Sequence, residues 1–215
     1  ILRCTETTKF CIVEMGARHL GDISHLAKIA QPHIGVVLTV GKAHVGEFGS
    51  REIIAKAKSE LISALTEGGI AILGTYDEFT PNMSVPTGVK RILFGENQKC
   101  EVRAADIEVR EGRAHFDLVT SYGRAAVSLQ LLGMHQIANA LAAAAVATAL
   151  NIPIETISAA LSTAENASKW RMEISQIGEV TLINDSYNAN PESVAAALRT
   201  LALISQETGG VSWAI

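Results

Sequence analysis

LTVGKAHVGEFGSREIIAKAKSE, residues 38–60, decides how this chain reads. It opens at the end of an apolar run, Ile34 to Val40, that predicts a buried strand. It turns at Gly41, exposes His44, turns again over Gly46 to Gly49, and enters a helix. On that helix Ile54, Lys58, Leu61 and Leu65 recur at i, i+4, i+7 and i+11, which is one face. Three of the four are apolar and the fourth is a lysine. Lys56 and Glu60 read as exposed residues that serve solubility, whereas Lys58 stands where a core residue belongs. A buried ammonium is costly, so such a lysine is either paired, deprotonated or modified. The alternative is that it snorkels past its neighbours to water. Spacing does not separate the two.

Outward from this stretch the pattern alternates between strand and helix. Phe10 to Val13 reads as a short buried strand that delivers Glu14 at its C-terminal end, before the turn at Gly16. Asp22 is placed to cap a helix carrying Ile23, Leu26, Ala27 and Ala30, and Pro32 ends it. Gly68-Gly69 closes the Lys58 helix, and Ile70 to Leu73 reads as another buried strand. Continuous apolar strands separated by helices imply an α/β fold with a mostly parallel sheet. Ligands bind beyond the carboxyl ends of such strands, where Glu14 and His44 fall by this reading.

From Arg91 the period changes to short strands, 91–94, 101–109, 114–119 and 125–131, with turns at Gly95, Gly112 and Gly123. They read as an antiparallel β elaboration. A long helix follows from Gln136 to Leu150, and a second from Ile154 to Ser162 with Pro153 at its start. A new unit then begins. A hairpin, 171–177 and 180–183, surrounds Gly178, then the polar loop Asp185 to Pro191 leads to a helix over 192–204. The expected domains are 1–168 and 169–215, the second a partial C-terminal α/β domain. Ile1 starts in mid-pattern and Val211 to Ile215 reads as the opening of a strand, so the 215 residues are expected to be a part of a longer chain.

The net charge of −4, with no basic run, disfavours a nucleic-acid partner. No apolar segment reaches the length of a membrane span, and no signal peptide opens the sequence. Cys4, Cys11 and Cys100 are odd in number and lack a CxxC pair, which argues for a reducing, cytoplasmic setting.

Three constellations can carry chemistry. Glu14 and His44 are a carboxylate and an imidazole without a thiolate, a set suited to Mg²⁺ or Mn²⁺, though both residue types are common in α/β loops. Lys58 joins them as a ligand only if CO₂ adds to its neutral amine, giving an anionic carbamate. His135 and Asn139 share a face at a helix N-terminus, a natural contact for phosphate or nucleotide, or else simply cap and pack. Asp185 to Pro191 suits a ribose or base edge, although Asn and Asp are also ordinary turn formers.

Taken together, Glu14-Met15-Gly16-Ala17, the run Ala43 to Ser50, Ala57-Lys58-Ser59-Glu60, the run Gly133 to Ala143 and the run Asp185 to Ser193 resemble the Mur ligases of peptidoglycan synthesis. The combination EMGA, AHxGxFGS and DSYNANPxS is most similar to the branch that adds D-alanyl-D-alanine. The resemblance spans nearly the whole chain. It implies a P-loop-NTPase-like central ATPase domain and the start of a C-terminal domain, acting in a monomer. It implies Mg²⁺ held by Glu14, His44 and a carbamylated Lys58, which stands fourteen residues after His44. ATP would be contacted by His135 and Asn139, and from the C-terminal side by Arg171, Asp185 and Tyr187. The implied substrates are a UDP-N-acetylmuramoyl tripeptide and D-Ala-D-Ala, joined through an acyl phosphate. The chain departs from the family in three respects, the first being that the N-terminal domain that grips the UDP-sugar and most of the C-terminal domain are expected to lie outside these 215 residues. It contains no G-x-x-x-x-G-K-[ST] loop, so residues 1–215 alone are expected to be inactive. After the strand 70–73 the family's Asn-Ala-Asp-Asp is replaced by Gly74-Thr75-Tyr76-Asp77, where only Asp77 matches. Another Mur ligase, a folylpolyglutamate synthase relative, and a non-catalytic nucleotide-binding homologue are the alternatives.

Overall fold

Strand β1 (Ile34–Val37) and strand β2 (Ile70–Gly74) pair in parallel, Ile34 opposite Ile70 and Val37 opposite Leu73. The structure, a computed structural model, describes residues 1–41, 45–166 and 168–215. Helix α1 (Asp22–Ala30) precedes β1, and the short α2 (Val45–Phe48) and α3 (Arg51–Ser63) connect it to β2. Strand order in the sheet follows chain order through β3 (Lys90–Gly95), β4 (Val102–Arg110), β5 (Arg113–Thr120) and β6 (Gly123–Leu132). β3 pairs with β4 in parallel, and β4, β5 and β6 are antiparallel neighbours. Helices α4 (Gln136–Ala149) and α5 (Ile154–Thr163) follow. A separate hairpin comes next, β7 (Glu173–Ile177) with β8 (Val180–Asn184), and then helix α6 (Pro191–Thr208). The chain divides into two compact units, Ile1–Leu93 and Phe94–Ile215.

In the first unit the apolar face of α3 covers β1. Ile54, Ile62 and Leu65 are buried with Val37, Val40, Ala71, Leu73 and Met83. Gly35 lets the helix approach closely. A Cβ there would sit 3.3 Å from Leu61 and Leu65 side-chain atoms, tighter than normal contact. Ser50 starts α3 by accepting the Ile53 N–H at 3.4 Å.

In the second unit α4 packs on β4, β5 and β6, and α5 packs on β6. Ile137, Leu141, Ala144 and Ala145 are buried, so the alanines do provide close packing. β5 alternates half-buried and buried residues along its whole length, as the pattern of His115, Asp117 and Val119 against Phe116 and Leu118 predicts. No described helix is long and apolar enough to cross a membrane.

Four expectations are corrected. Phe10 to Val13 is not a strand; Phe10, Ile12 and Val13 are exposed, at 63%, 96% and 40%. An apolar run becomes a parallel strand only when a neighbour pairs with it and both faces are covered, and no described element does so here. Val211 to Ile215 is likewise exposed and outside any strand. The strand at 34–40 stops at Val37, and the backbone beyond it bonds to side chains instead, Thr39 and Val40 to Lys58 and Arg51 of α3 and to Asp77 beyond β2. Asp22 does not cap its own helix. Its Oδ2 accepts the N–H groups of Arg18 and His19, both at 2.9 Å, and so fixes the turn before α1.

Candidate functional site

The carboxyl ends of β1 and β2 are tied together by one carboxylate. Asp77 lies just beyond β2. Its Oδ2 accepts from the Val40 N–H at 2.8 Å, from Thr39 Oγ1 at 3.0 Å and from Thr80 Oγ1 at 2.7 Å. Its Oδ1 accepts the N–H groups of Phe79 at 2.7 Å and Thr80 at 2.8 Å. Thr80 is fully buried and opens a single 3₁₀ turn, Thr80–Asn82, with Pro81 in its first positions. Partial burial acts to raise the Asp77 pKa. The bonds from the Thr80 side chain and from the Thr80, Val40 and Phe79 backbone outweigh that and hold it below the ordinary 3.8.

Lys58 reaches the same place from α3. Its Nζ donates to the Thr39 carbonyl at 2.5 Å, and the side chain is half-buried. Arg51, on the first turn of α3, donates through Nη2 to the Val40 carbonyl at 3.0 Å. It also pairs with Glu78 at 2.8 Å and lies over the Phe79 ring at 5.1 Å. The two loops that follow the strands are thereby fixed from both sides. Glu60 also differs from expectation. It is half-buried, and its two oxygens accept the Gly21 N–H at 2.7 Å and the Ser24 N–H at 3.0 Å. It thus provides the N-terminal cap of α1 from α3, a role at long sequence separation that composition read as solubility.

His44 lies outside the described residues. Glu14 is exposed, in the stretch that forms no strand. Among the described residues no three His, Cys, Asp or Glu side chains gather as a metal site. The donor chemistry fits a hard divalent cation: a carboxylate, an imidazole and, if CO₂ has added, a carbamate at Lys58.

A second cluster lies within residues 94–215. His135 is the residue before α4, and its ring folds back over Gly133. A Cβ at Gly133, whose φ is +99°, would lie 2.5 Å from His135 Cε1 and 2.7 Å from Nδ1. Burial by these neighbours pushes the His135 pKa below the ordinary 6.5, and the nearby Asp185 charge opposes that shift. One side of the residue still faces solvent. Asn139, one turn on, donates to Gln136 Oε1 at 3.0 Å, and Gln136 in turn contacts His135 Nε2 at 3.3 Å.

Asp185 accepts the Met172 N–H at 3.1 Å, and the Tyr187 N–H reaches the Trp170 carbonyl at 3.0 Å. Arg171 lies over the Tyr187 ring with its guanidinium carbon 4.1 Å from the centroid. The segment that presents Arg171 is strained, with Trp170 at φ +62° and Met172 at φ +50°. The structure therefore brings His135, Asp185, Arg171 and Tyr187 into one unit, with Asn139 on the adjoining helix turn. The asparagines of the polar loop have local duties. Asn184 accepts from Ser186 N and Oγ, Asn188 accepts from Ala189 N, and Asn190 forms a capping box with Ser193 at the start of α6.

Residues 1–147 match the family model described as the Mur ligase middle domain. The chain belongs to the Mur ligase family. Over its whole length it is 42% identical to the UDP-N-acetylmuramoyl-tripeptide–D-alanyl-D-alanine ligase of Mycobacterium tuberculosis, of which it spans 43%. A crystal structure of MurF from Acinetobacter baumannii overlays 87% of the chain and 41% of that protein with a TM-score of 0.81 at 37% identity. The MurF ligase of Thermotoga maritima, solved in complex with ADP, covers 87% of the chain and 43% of that protein with a TM-score of 0.75 at 28% identity. The chain thus spans less than half the length of the Mur ligases it matches.

Asp77 has its carboxylate engaged by Thr39, Val40, Phe79 and Thr80. Thr39, Thr80 and Arg51 were not singled out by sequence. The usable signal was Asp77-Glu78-Phe79-Thr80-Pro81, an Asp three residues before a Thr-Pro turn, which is a capping pattern.

Proposed function

We propose that the full-length protein is an ATP-dependent amide ligase of peptidoglycan precursor synthesis that adds D-Ala-D-Ala to a UDP-N-acetylmuramoyl tripeptide. The observation that carries this reading is the 42% identity to a ligase of that name across the whole chain. ATP would phosphorylate the terminal carboxylate of the tripeptide, giving an acyl phosphate and ADP. The amine of D-Ala-D-Ala would then attack the acyl carbon through a tetrahedral intermediate and release phosphate. The ADP in the T. maritima relative supports the choice of nucleotide.

Each site residue has a role in this proposal. Lys58 carries the carbamate: its neutral amine adds CO₂ and loses one proton, leaving a carbamate with a single N–H. Its place beside the Thr39 carbonyl, beyond a parallel strand, supports that assignment. Glu14, His44 and the Lys58 carbamate would hold Mg²⁺, which when bound would offset charge on the transferring phosphoryl group. His135 and Asn139 would contact the nucleotide from α4. Arg171 and Asp185 would contact phosphate and ribose, with Tyr187 beside them. The separate β7–β8 hairpin and the end of the family match at residue 147 support a domain boundary near Ser168. The protein would act as a monomer in the cytoplasm. Residues 1–215 alone would lack ligase activity, since they contain no phosphate loop.

The test is ligation by the purified full-length protein, followed as ADP release that requires both the tripeptide nucleotide and D-Ala-D-Ala. Release dependent on a different amino acid, or on a folate, would replace this reading with another ligase. No release with any amine would favour a non-catalytic nucleotide-binding homologue.

A further inference from the structure

The peptide unit between Thr39 and Val40 is held at both of its polar ends. Its N–H, on Val40, donates to Asp77 Oδ2 at 2.8 Å, and its C=O, on Thr39, accepts Lys58 Nζ at 2.5 Å. The Thr39 hydroxyl donates to the same Asp77 oxygen at 3.0 Å. A carboxylate on the N–H side of a peptide polarises it and strengthens the carbonyl as an acceptor. A peptide is planar, so fixing its N–H also fixes the direction of its C=O. The next peptide is fixed too, by Arg51 Nη2 on the Val40 carbonyl at 3.0 Å. Asp77 is itself immobilised by Thr80 and the Phe79 N–H.

We propose that Asp77 and Thr39 are positioning residues for Lys58, acting as a carboxylate–peptide–lysine relay that sets the direction of the Lys58 Nζ–H bond. The inference rests on the carbamate reading of Lys58. A carbamylated Nζ keeps one N–H and has an amide-like, planar N–C bond. With that hydrogen committed to the Thr39 carbonyl, the new carboxylate points away from β1 in one orientation. An amide-like N–H is a stronger donor than the N–H of a neutral amine, so the relay favours the carbamate over the neutral amine and sets its direction.

The experiment uses the full-length enzyme with [¹³C]bicarbonate and follows the carbamate carbon by NMR, with Lys58→Arg to assign the line to Lys58. In Asp77→Asn the bicarbonate concentration for half-occupancy is expected to rise about tenfold, the effect of weakening one charge-assisted bond. The kcat should fall in parallel at ambient bicarbonate and recover at saturating bicarbonate, with the KM for ATP unchanged. Thr39→Val should behave like Asp77→Asn, and Thr39→Ser like the wild type. Should Asp77→Asn fail to fold, Thr39→Val carries the same expectation. Wild-type half-occupancy in both variants overturns the relay while leaving the carbamate intact. A loss of kcat that bicarbonate does not restore also overturns it, since Asp77 would then act on the fold alone. No Lys58-dependent line in the wild type overturns the carbamate reading, and the relay with it.

Discussion

The two clusters of candidate residues are built by opposite means. At the ends of β1 and β2 a single carboxylate collects three backbone N–H groups and two hydroxyls, and Lys58 is held by a peptide that this carboxylate fixes. Around α4 and β8 no single group plays that part: the side chains are held by scattered single hydrogen bonds, by a cation–π contact and by strained backbone at Trp170 and Met172. The first cluster is preorganised before any ligand arrives. The second has polar atoms left facing solvent, in a loop whose asparagines make its turns. The difference matches the chemistry proposed for each. A carbamate needs a fixed direction, whereas nucleotide contacts tolerate adjustment on binding.

The contrast can be broken most forcefully at Asp77. Asp77→Ala leaves the Val40, Phe79 and Thr80 N–H groups without their acceptor, and is expected to destabilise the intact protein by about 3 kcal/mol. Thermal or urea unfolding reads this directly; a change below experimental error would show that water replaces the carboxylate and that the first cluster is not rigid. Next in size is Gly133→Ala. The new Cβ must displace the His135 ring from a backbone already at φ +99°, at a cost of about 2 kcal/mol. The KM for ATP should rise as well, since the ring moves. A stable variant with unchanged KM would separate His135 from nucleotide binding.

The smallest effect is in pH dependence, and it should distinguish the two clusters. Asp77 has a folded pKa below 3.8, so its contribution is complete above that value and is lost as pH falls through the lower folded value. His135 has a folded pKa below 6.5, so the unfolded chain binds the proton more tightly. Its contribution is complete above 6.5 and declines as pH falls toward the folded value. Melting temperatures of the wild type between pH 7 and pH 5 should slope downward with acid, and His135→Gln should flatten that slope. An unchanged slope would mean that His135 is not desolvated.

Much of this was legible in the sequence where the signal is local or periodic. The period-2 pattern of β5, the alanine-rich α4, the hairpin at Gly178 and the row containing Lys58 all depend on neighbours a few residues away. What could not be read depends on partners far along the chain. Glu60 looks like surface charge until Gly21 and Ser24 arrive beside it, 39 and 36 residues distant. Asp77 meets Thr39 and Val40 across nearly as long a span, 38 and 37 residues. Phe10 to Val13 has the composition of a strand, but a strand also needs a partner, and composition does not provide one. The motifs identified the family; the carbonyl that Lys58 engages needed coordinates.

Lys58 carries chemistry in this proposal rather than filling a place on α3, and Lys58→Ala in the full-length enzyme, assayed for ADP release with both substrates, separates the two. The kcat is expected to fall at least about a hundredfold, in the range for losing one fixed electrostatic group, with partial recovery on adding formate or acetate to stand in for the carbamate. A folded Lys58→Ala variant with wild-type kcat would contradict that role.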